Sequence, residues 1–285
     1  MIVPREPQSS AAVAEHYDEL DPFYREIWGE HVHHGLWTTG REAPEQAVEA
    51  LIAHLADTLA LRPGQQVCDI GCGYGATAEW LAEHHGVHVM GVTLSSAQLR
   101  QAERRAAGSP LLQFMRQDWL ANTFEDGAFD HVIAIESSEH MTDKQRFFDE
   151  AYRTLRPAGR LAIYAWLARD KARPWEERLL LEPICREGRL PGMGTEAEYR
   201  EWAETAGFVV DGFEDLSLKV RRTWALCAGR VAKKLLTHSH YRRYLLDARS
   251  QNRIFALSLP RIWLAYATGS MRYGLLTAHR PPSPA

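Results

Sequence analysis

The stretch Val67-Cys68-Asp69-Ile70-Gly71-Cys72-Gly73-Tyr74-Gly75 decides the fold. Val67 to Ile70 reads as a buried strand, the glycines as a tight turn, and a helix is expected from near Ala76. Glycine has no Cβ, so a chain carrying Gly71, Gly73 and Gly75 can turn sharply and let a ligand lie against its backbone. The helix that follows offers unpaired N–H groups and the positive end of its dipole, which suits a nucleotide-like ligand bearing a carboxylate. Asp69 stands just before the first glycine. A carboxylate there repels a pyrophosphate and attracts an amine or a sulfonium. The stretch therefore argues for S-adenosyl-L-methionine (SAM) and against a nicotinamide dinucleotide.

The flanks agree. Leu61 to Gln66 is a turn leading into the strand, Thr77 to His84 has a helical pattern ending near Gly86, and His88 to Leu94 reads as a second strand, completing a β-α-β unit. Leu111–Met115, Phe129–Ile135 and Arg160–Trp166 are the next strands, with a helix over Asp143–Leu155 stopped by Pro157 and Gly159. Such alternation predicts a parallel sheet with helices on both faces. Upstream, Ala11–Glu19, Pro22–Trp28 and Pro44–Leu61 read as helices. The expected organisation is a helical lid over 1–60, a cofactor-binding core over 61–167, a mobile insertion over 168–198 broken by Pro174, Pro183, Gly188, Pro191, Gly192 and Gly194, and then 199–280, which ends the core sheet and carries a helical cap over about 219–268. The fold class is α/β: a Rossmann-like, doubly wound, mostly parallel sheet with an N-terminal helical lid and a C-terminal helical cap.

Composition excludes several classes. The 285 residues are 45% hydrophobic and 25% charged, ordinary for a globular chain. The net charge of −4 and the lack of a long basic run disfavour a nucleic-acid partner. No run of eighteen apolar residues exists, so no helix is expected to span a membrane, and the first residues lack the pattern of a secretory signal. Cys68, Cys72, Cys185 and Cys227 have no disulfide or metal spacing, which fits a reduced, cytoplasmic protein.

Three further segments carry a family resemblance: Gly91-Val92-Thr93-Leu94-Ser95 with Gln98, Glu136-Ser137-Ser138-Glu139-His140-Met141, and Trp28-Gly29-Glu30-His31-Val32-His33-His34-Gly35-Leu36-Trp37. With the glycine turn, they make the chain resemble a class I SAM-dependent methyltransferase over about Leu61 to Leu167. Within that superfamily it is similar to the small-molecule branch of tocopherol, sterol and alkaloid N-methyltransferases and cyclopropane fatty-acid synthases, nearest the tocopherol type. The resemblance implies a last strand, Met271–Thr277, in an antiparallel edge hairpin.

It also implies roles. An acidic residue usually ends the second strand and takes the ribose; here Thr93 stands there, as in the GVTLS form of this branch, so Thr93, the Leu94 backbone and Gln98 are expected to share it. Asp118 is expected to accept from the adenine amine, with Trp119 flanking the ring. Methyl transfer is an in-line displacement that needs alignment and, for some acceptors, a base. Glu136, Glu139 and His140 sit at the end of the fourth strand, and the E-x-x-E-H-M spacing supplies acceptor-binding and base residues in the resembled N-methyltransferases. His34, with His31 and His33, is expected near the methionine end of SAM or on the lid. The H-x-H-H spacing lacks a partner cluster, so no metal is expected. Tyr17, Tyr24, Trp28 and Trp37 are candidates for an acceptor-pocket wall. Cyclopropane synthases carry a cysteine after a Tyr-Ser pair; the equivalent region here is His33-His34-Gly35, which argues against lipid cyclopropanation. The expected activity is methylation of a small hydrophobic acceptor on O, N or C, leaving S-adenosyl-L-homocysteine. The alternatives are a non-catalytic SAM-binding regulator or scaffold, or a nicotinamide-dependent oxidoreductase.

Overall fold

A computed structural model of the chain describes residues 1–247, 252 and 255–283. Six residues of the expected cap, 248–251, 253 and 254, and the last two of the polar tail lie outside the described residues. Seven strands, β1 Gln66–Ile70, β2 His88–Thr93, β3 Leu112–Arg116, β4 Phe129–Ile135, β5 Leu155–Ala168, β6 Val209–Asp215 and β7 Met271–His279, form one sheet in the order β3-β2-β1-β4-β5-β7-β6. Every pairing up to β5 is parallel, and β7 runs antiparallel to both β5 and β6. The order reverses between β1 and β4. At such a switch point the loops leaving the strand ends diverge and open a crevice.

Side chains alternate across the strands, so the sheet has two apolar faces. Val67 and Ile133 join one core cluster with Leu51, Leu55 and Leu81, whereas Cys68, Ile70, Val132 and Ala134 join another with Phe147, Phe148 and Leu161. Helices α1 Ser10–Ile27, α2 Pro44–Leu59, α3 Ala76–His85, α4 Ser96–Ala106 and α5 Lys144–Thr154 are followed by three cap helices, Arg222–Thr237, Ser239–Leu246 and Phe255–Thr268.

Three expectations need correction. The two helices expected on either side of Pro22 are one, α1, with Pro22 inside it. Its buried stripe Val13, His16, Leu20, Tyr24 and Ile27 keeps helical spacing across the proline, and that packing outweighs the lost backbone hydrogen bond. The last strand does pair antiparallel with β6, but β7 lies inside the sheet and β6 holds the edge. The segment 168–198 is no loose insertion. Pro174–Glu176, Glu177–Leu181 and Glu182–Glu187 follow one another as a helix with a π turn, and Leu181, Ile184, Cys185 and Met193 are buried in the core. Pro174 sits in the first turn, where a missing N–H costs nothing, and Pro183 follows the π turn directly, where the helix register already shifts.

Candidate active site

The crevice at the switch point, open to solvent, spans about 890 Å³ and is lined by Asp69, Gly71 and Gly73 from β1 and its turn, Thr93 and Leu94 at the end of β2, Gln98 from α4, Asp118 and Trp119 after β3, Glu136 and His140 after β4, and Tyr17 from α1. The glycines do different work. A Cβ on Gly71 would lie 2.4 Å from the Ser137 Cβ, so only glycine lets the turn pass under the end of β4. Gly73 holds φ +54 with open space where a Cβ would stand, which leaves its backbone bare to the crevice. Gly75 does not line the crevice; as the residue capping α3, it packs against Phe114 and Ala102.

The electrostatics of this crevice fit a cationic ligand. Asp69 is buried and its Oδ2 has no hydrogen-bond partner among the described residues. Burial pushes its carboxyl up to about 7. An orphaned buried carboxylate oxygen facing a ligand cleft is the counterpart of an ammonium group. Thr93 Oγ1 donates to Gln98 Oε1 at 2.8 Å and accepts from the Ser95 backbone N–H at 3.2 Å, fixing the pair on the crevice wall. Asp118 Oδ1 accepts from the Leu120 N–H, which sets the short turn that carries Trp119; the Trp119 indole donates to the Phe147 carbonyl and is held in the core with one side on the crevice. The Gln117 Oε1 beside them is also buried and unpartnered.

A second cavity of about 460 Å³ lies beyond the first, lined by Tyr17, Tyr24, Trp28, Val32, Glu136, Glu139, His140, Trp166, Gly188 and Leu190. Tyr17, Val32, Glu136 and His140 belong to both walls, so they frame the passage between the two. His140 is half-buried against the Arg189 carbonyl, which its Nδ1–H reaches at 3.4 Å, while its Nε2 accepts from the Tyr17 hydroxyl at 2.9 Å. Burial, helped by the charges of His16 and Lys144, holds the imidazole down to about 3, so its Nε2 lone pair is present throughout the physiological range. Burial also holds the Tyr17 phenol well above its ordinary range, so it stays a donor.

The three residues expected as catalytic differ sharply. Glu136, at a backbone φ of +53, is clamped: Oε1 accepts from the His34 N–H at 2.6 Å, the His34 Nδ1 at 2.8 Å and the Tyr273 hydroxyl at 2.8 Å, and Oε2 accepts from the Trp166 indole at 2.9 Å. Burial alone would raise this carboxyl, but the charge and hydrogen bonds of His34 and the charge of His33 bring it down to about 2. A carboxylate so saturated positions its partners and is no proton acceptor. Glu139 faces only the second cavity. Its Oε1 accepts from the Trp166 backbone N–H, its Oε2 from Ser138 Oγ at 3.3 Å, and burial raises its pKa. The turn carrying Glu139 and His140 is held from beneath by Lys144, whose buried ammonium donates to the carbonyls of Ser138, Glu139 and Met141 at 2.9, 2.7 and 2.7 Å.

Two other expectations are displaced. His34 does not reach the cofactor crevice; it lies behind Glu136 among Trp166, Trp224 and Tyr273. His31 and His33 line the crevice instead. The His33 Nδ1–H donates to the His34 carbonyl at 2.8 Å, so its Nε2 accepts from Thr77 Oγ1 at 3.2 Å. Trp37 is absent from the second cavity: its indole donates to Thr223 and its face carries the Arg222 guanidinium at 4.8 Å, on the outer side of the cap. The segment turns back after Val32, which puts successive histidines on opposite sides. No described group of His, Cys, Asp or Glu has the grouping to hold a metal.

Sequence reading missed Lys144, although a lysine five residues after Glu139 on an otherwise apolar helix face was a signal. It also missed Asp18, next to Tyr17. The Asp18 Oδ1 accepts from Ser95 Oγ and, at 3.0 Å, from the Ala97 N–H, so α1 puts a carboxylate on the N-terminus of α4. Tyr74 Oη reaches the Asp21 carbonyl and Arg105 joins Glu30 to Glu79, which fasten the N-terminal segment to the core.

A sheet of this order with its seventh strand reversed, opening at the switch point on an unpaired carboxylate, Asp69, where a dinucleotide would bring its pyrophosphate, defines a class I SAM-dependent methyltransferase. More narrowly, the chain belongs to the mycolic acid cyclopropane synthetase family, whose model matches residues 5–250. It is 30% identical to a chloroplastic tocopherol O-methyltransferase of Arabidopsis thaliana, over 94% of this chain and 82% of that protein. It is 31% identical to the 27-O-demethylrifamycin SV methyltransferase of Amycolatopsis mediterranei, over 93% and 95%. Among solved structures, the [4+2]-cyclase SpnF superposes with a TM-score of 0.81 at 25% identity, over 99% of each chain. Its relatives are small-molecule methyltransferases, and its cofactor is SAM.

Proposed function

We propose that the protein transfers the SAM methyl group to a hydroxyl of a hydrophobic metabolite, such as an isoprenoid, a prenylated phenol or another secondary-metabolite scaffold. Bound SAM supplies an electrophilic methyl on a sulfonium that is already a good leaving group. The chain supplies alignment and a proton acceptor. Asp69 holds the amino group, Thr93 and Gln98 the ribose, and Asp118 and Trp119 the adenine. The acceptor lies in the second cavity with its oxygen toward the passage framed by Tyr17, Val32, Glu136 and His140. As the oxygen bonds to the methyl carbon and the C–S electron pair returns to sulfur, the hydroxyl proton passes to His140 Nε2. Glu136 and Glu139 stabilise the resulting imidazolium, and Lys144 keeps the turn in place.

One observation carries this reading: a hydroxyl, that of Tyr17, already sits on His140 Nε2 in the passage between the two cavities. A third cavity of about 570 Å³, lined almost wholly by apolar atoms, shares Tyr24 and Trp28 with the second and continues between α1 and the cap past Leu20, Val231 and Leu245. It offers room for an apolar tail, worth about 25 cal/mol per Å² buried before the costs of binding. The Arabidopsis relative named above is an O-methyltransferase, and the position of the cyclopropane-synthase cysteine is filled here by the His33-His34-Gly35 segment. Four free, buried cysteines suit a reducing compartment such as the cytoplasm.

A panel of phenols and alcohols of rising tail length, assayed with methyl-labelled SAM, tests the reading. Turnover should concentrate in the hydrophobic members, and His140→Ala should lower it by about 10²–10⁴-fold, far more than it changes SAM affinity. Reaction with small polar acceptors alone would refute the pocket. SAM binding without methyl transfer to any member would favour a non-methylating role for the fold, as the cyclase relative illustrates.

A further inference from the structure

The chain's charge is divided unevenly. Residues 216–285 hold thirteen Lys and Arg and one acidic residue, Asp247, a formal +12 within a whole-chain balance of −4; residues 1–215 therefore carry −16. Part of this positive charge is consumed by contacts with the rest of the fold: Lys219 with Glu214, Lys234 with Glu26, and Arg261 with Glu187. Arg221, Arg222, Lys233, Arg242 and Arg243 are exposed, and among the described residues no carboxylate lies within ion-pair distance of them.

Large apolar side chains stand exposed among these cations. Leu236 is 83% exposed, Leu246 81%, Leu218 76% and Trp263 59%. On the helix Arg222–Thr237, the exposed positions Arg222, Ala225, Gly229, Lys233 and Leu236 recur at three- and four-residue spacing, which is one face. At its end, the Arg242 guanidinium donates to the Leu235 and Leu236 carbonyls at 2.7 and 3.2 Å, and Leu246 follows one turn beyond Arg242. The leucines come in pairs of opposite facing. Leu235 and Leu245 line the apolar cavity beside α1, whereas their neighbours Leu236 and Leu246 point out to solvent.

We propose that this face of the cap is a membrane-surface site for anionic phospholipids, with its cations on the headgroups and Leu236, Leu246 and Trp263 in the outer acyl region. A basic face with exposed leucine and tryptophan is the composition that interfacial helices use. An acidic protein surface would pair with the cations and leave the leucines without a partner, so the lipid surface accounts for more of the patch. No helix of the described residues is long and apolar enough to cross a membrane, so the attachment is peripheral. The inward leucines put the apolar cavity directly under the docked face, so a lipophilic acceptor could enter from the bilayer without crossing water.

Flotation of the full chain with vesicles tests this without acceptor or turnover, so it stands or falls apart from the methylation reading. The chain should float with phosphatidylcholine vesicles containing phosphatidylglycerol, fail to float with phosphatidylcholine alone, and be released by high salt. Lys233→Gln with Arg243→Gln should weaken binding about tenfold to thirtyfold, and Leu236→Ser with Leu246→Ser should weaken it about tenfold or more. Thermal unfolding and SAM affinity of both variants should match the unaltered protein. Absence of flotation with the anionic vesicles overturns the proposal. So does binding that needs the cations but ignores the leucines, which would mark the face as one for an acidic protein. The lipid and salt dependence of the unaltered protein decides the matter even if a variant folds poorly.

Discussion

Asp69→Asn should remove a pH dependence from SAM binding and, at the same time, make the empty enzyme more stable at alkaline pH. In the unliganded fold, burial moves the Asp69 carboxyl from an ordinary 3.8 to about 7, and its Oδ2 has no partner. That displacement corresponds to roughly 4 kcal/mol against ionisation of the empty site, an upper figure since water can enter the crevice. The sign follows. A group whose folded pKa is raised holds its proton longer in the native state, so its contribution to stability is present below the unfolded value and is lost as pH rises from about 4 to about 7. A ligand ammonium beside Asp69 reverses this by favouring the carboxylate. SAM binding should then release close to one proton at about pH 6, and its Kd should tighten by up to about tenfold per pH unit until about pH 7, then level off. In Asp69→Asn the slope should vanish, and affinity at about pH 8 should fall by about 1.5–3 kcal/mol, the worth of a hydrogen bond to a charged group. The unfolding temperature of the unliganded variant should exceed that of the unaltered protein by several degrees at about pH 8 and match it at about pH 4. Calorimetry in two buffers of different ionisation enthalpy counts the protons, and thermal melts check the stability. A Kd that ignores pH in the unaltered protein, or a slope that survives in Asp69→Asn, refutes the reasoning.

Gly71→Ala brings a Cβ to 2.4 Å from the Ser137 Cβ at a φ of +76 and should cost about 2–5 kcal/mol in urea unfolding, with loss of SAM binding. Glu136→Gln presents an amide to four donors and should cost about 2–4 kcal/mol at neutral pH. Because the Glu136 carboxyl lies at about 2, below its usual value, its contribution is present above about pH 4.5 and is lost as pH falls toward about 2; the stability gap between variant and unaltered protein should close over that window.

The parts of the fold that sequence patterns express locally were readable. The strand before Gly71, the β-α-β unit and the Phe129–Ile135 strand depend on periodicity and turn chemistry within about thirty residues. Pro22 misled because local propensity predicts a break, while the buried stripe of α1 is a tertiary fact. The prolines and glycines of 168–198 misled in the same way: Pro174 opens a helix and Pro183 follows its π turn. In the site, Asp69, Thr93, Gln98, Asp118, Trp119 and His140 were legible as neighbours of one crevice because each ends or follows a strand of the parallel sheet. The separation of His34 and Trp37 from their expected places, and the saturation of Glu136 by His34, Trp166 and Tyr273, could not be read. They depend on where residues 28–37 cross β4 and β7, and no spacing within the chain encodes that crossing.

The Tyr17 hydroxyl on His140 Nε2 has one more consequence. On the proposed hydroxyl methylation, a phenol of the protein already holds the acceptor's place, so an arriving phenol would trade one hydrogen bond for another of nearly equal strength. The exchange itself then discriminates little among hydroxyl-bearing headgroups. Selection passes to whatever differs far from the reacting oxygen: the length, girth and saturation of the part that threads past Tyr24 and Trp28. On that proposal, the internal placeholder would keep the base away from water between turnovers, and the enzyme would measure a substrate by its tail.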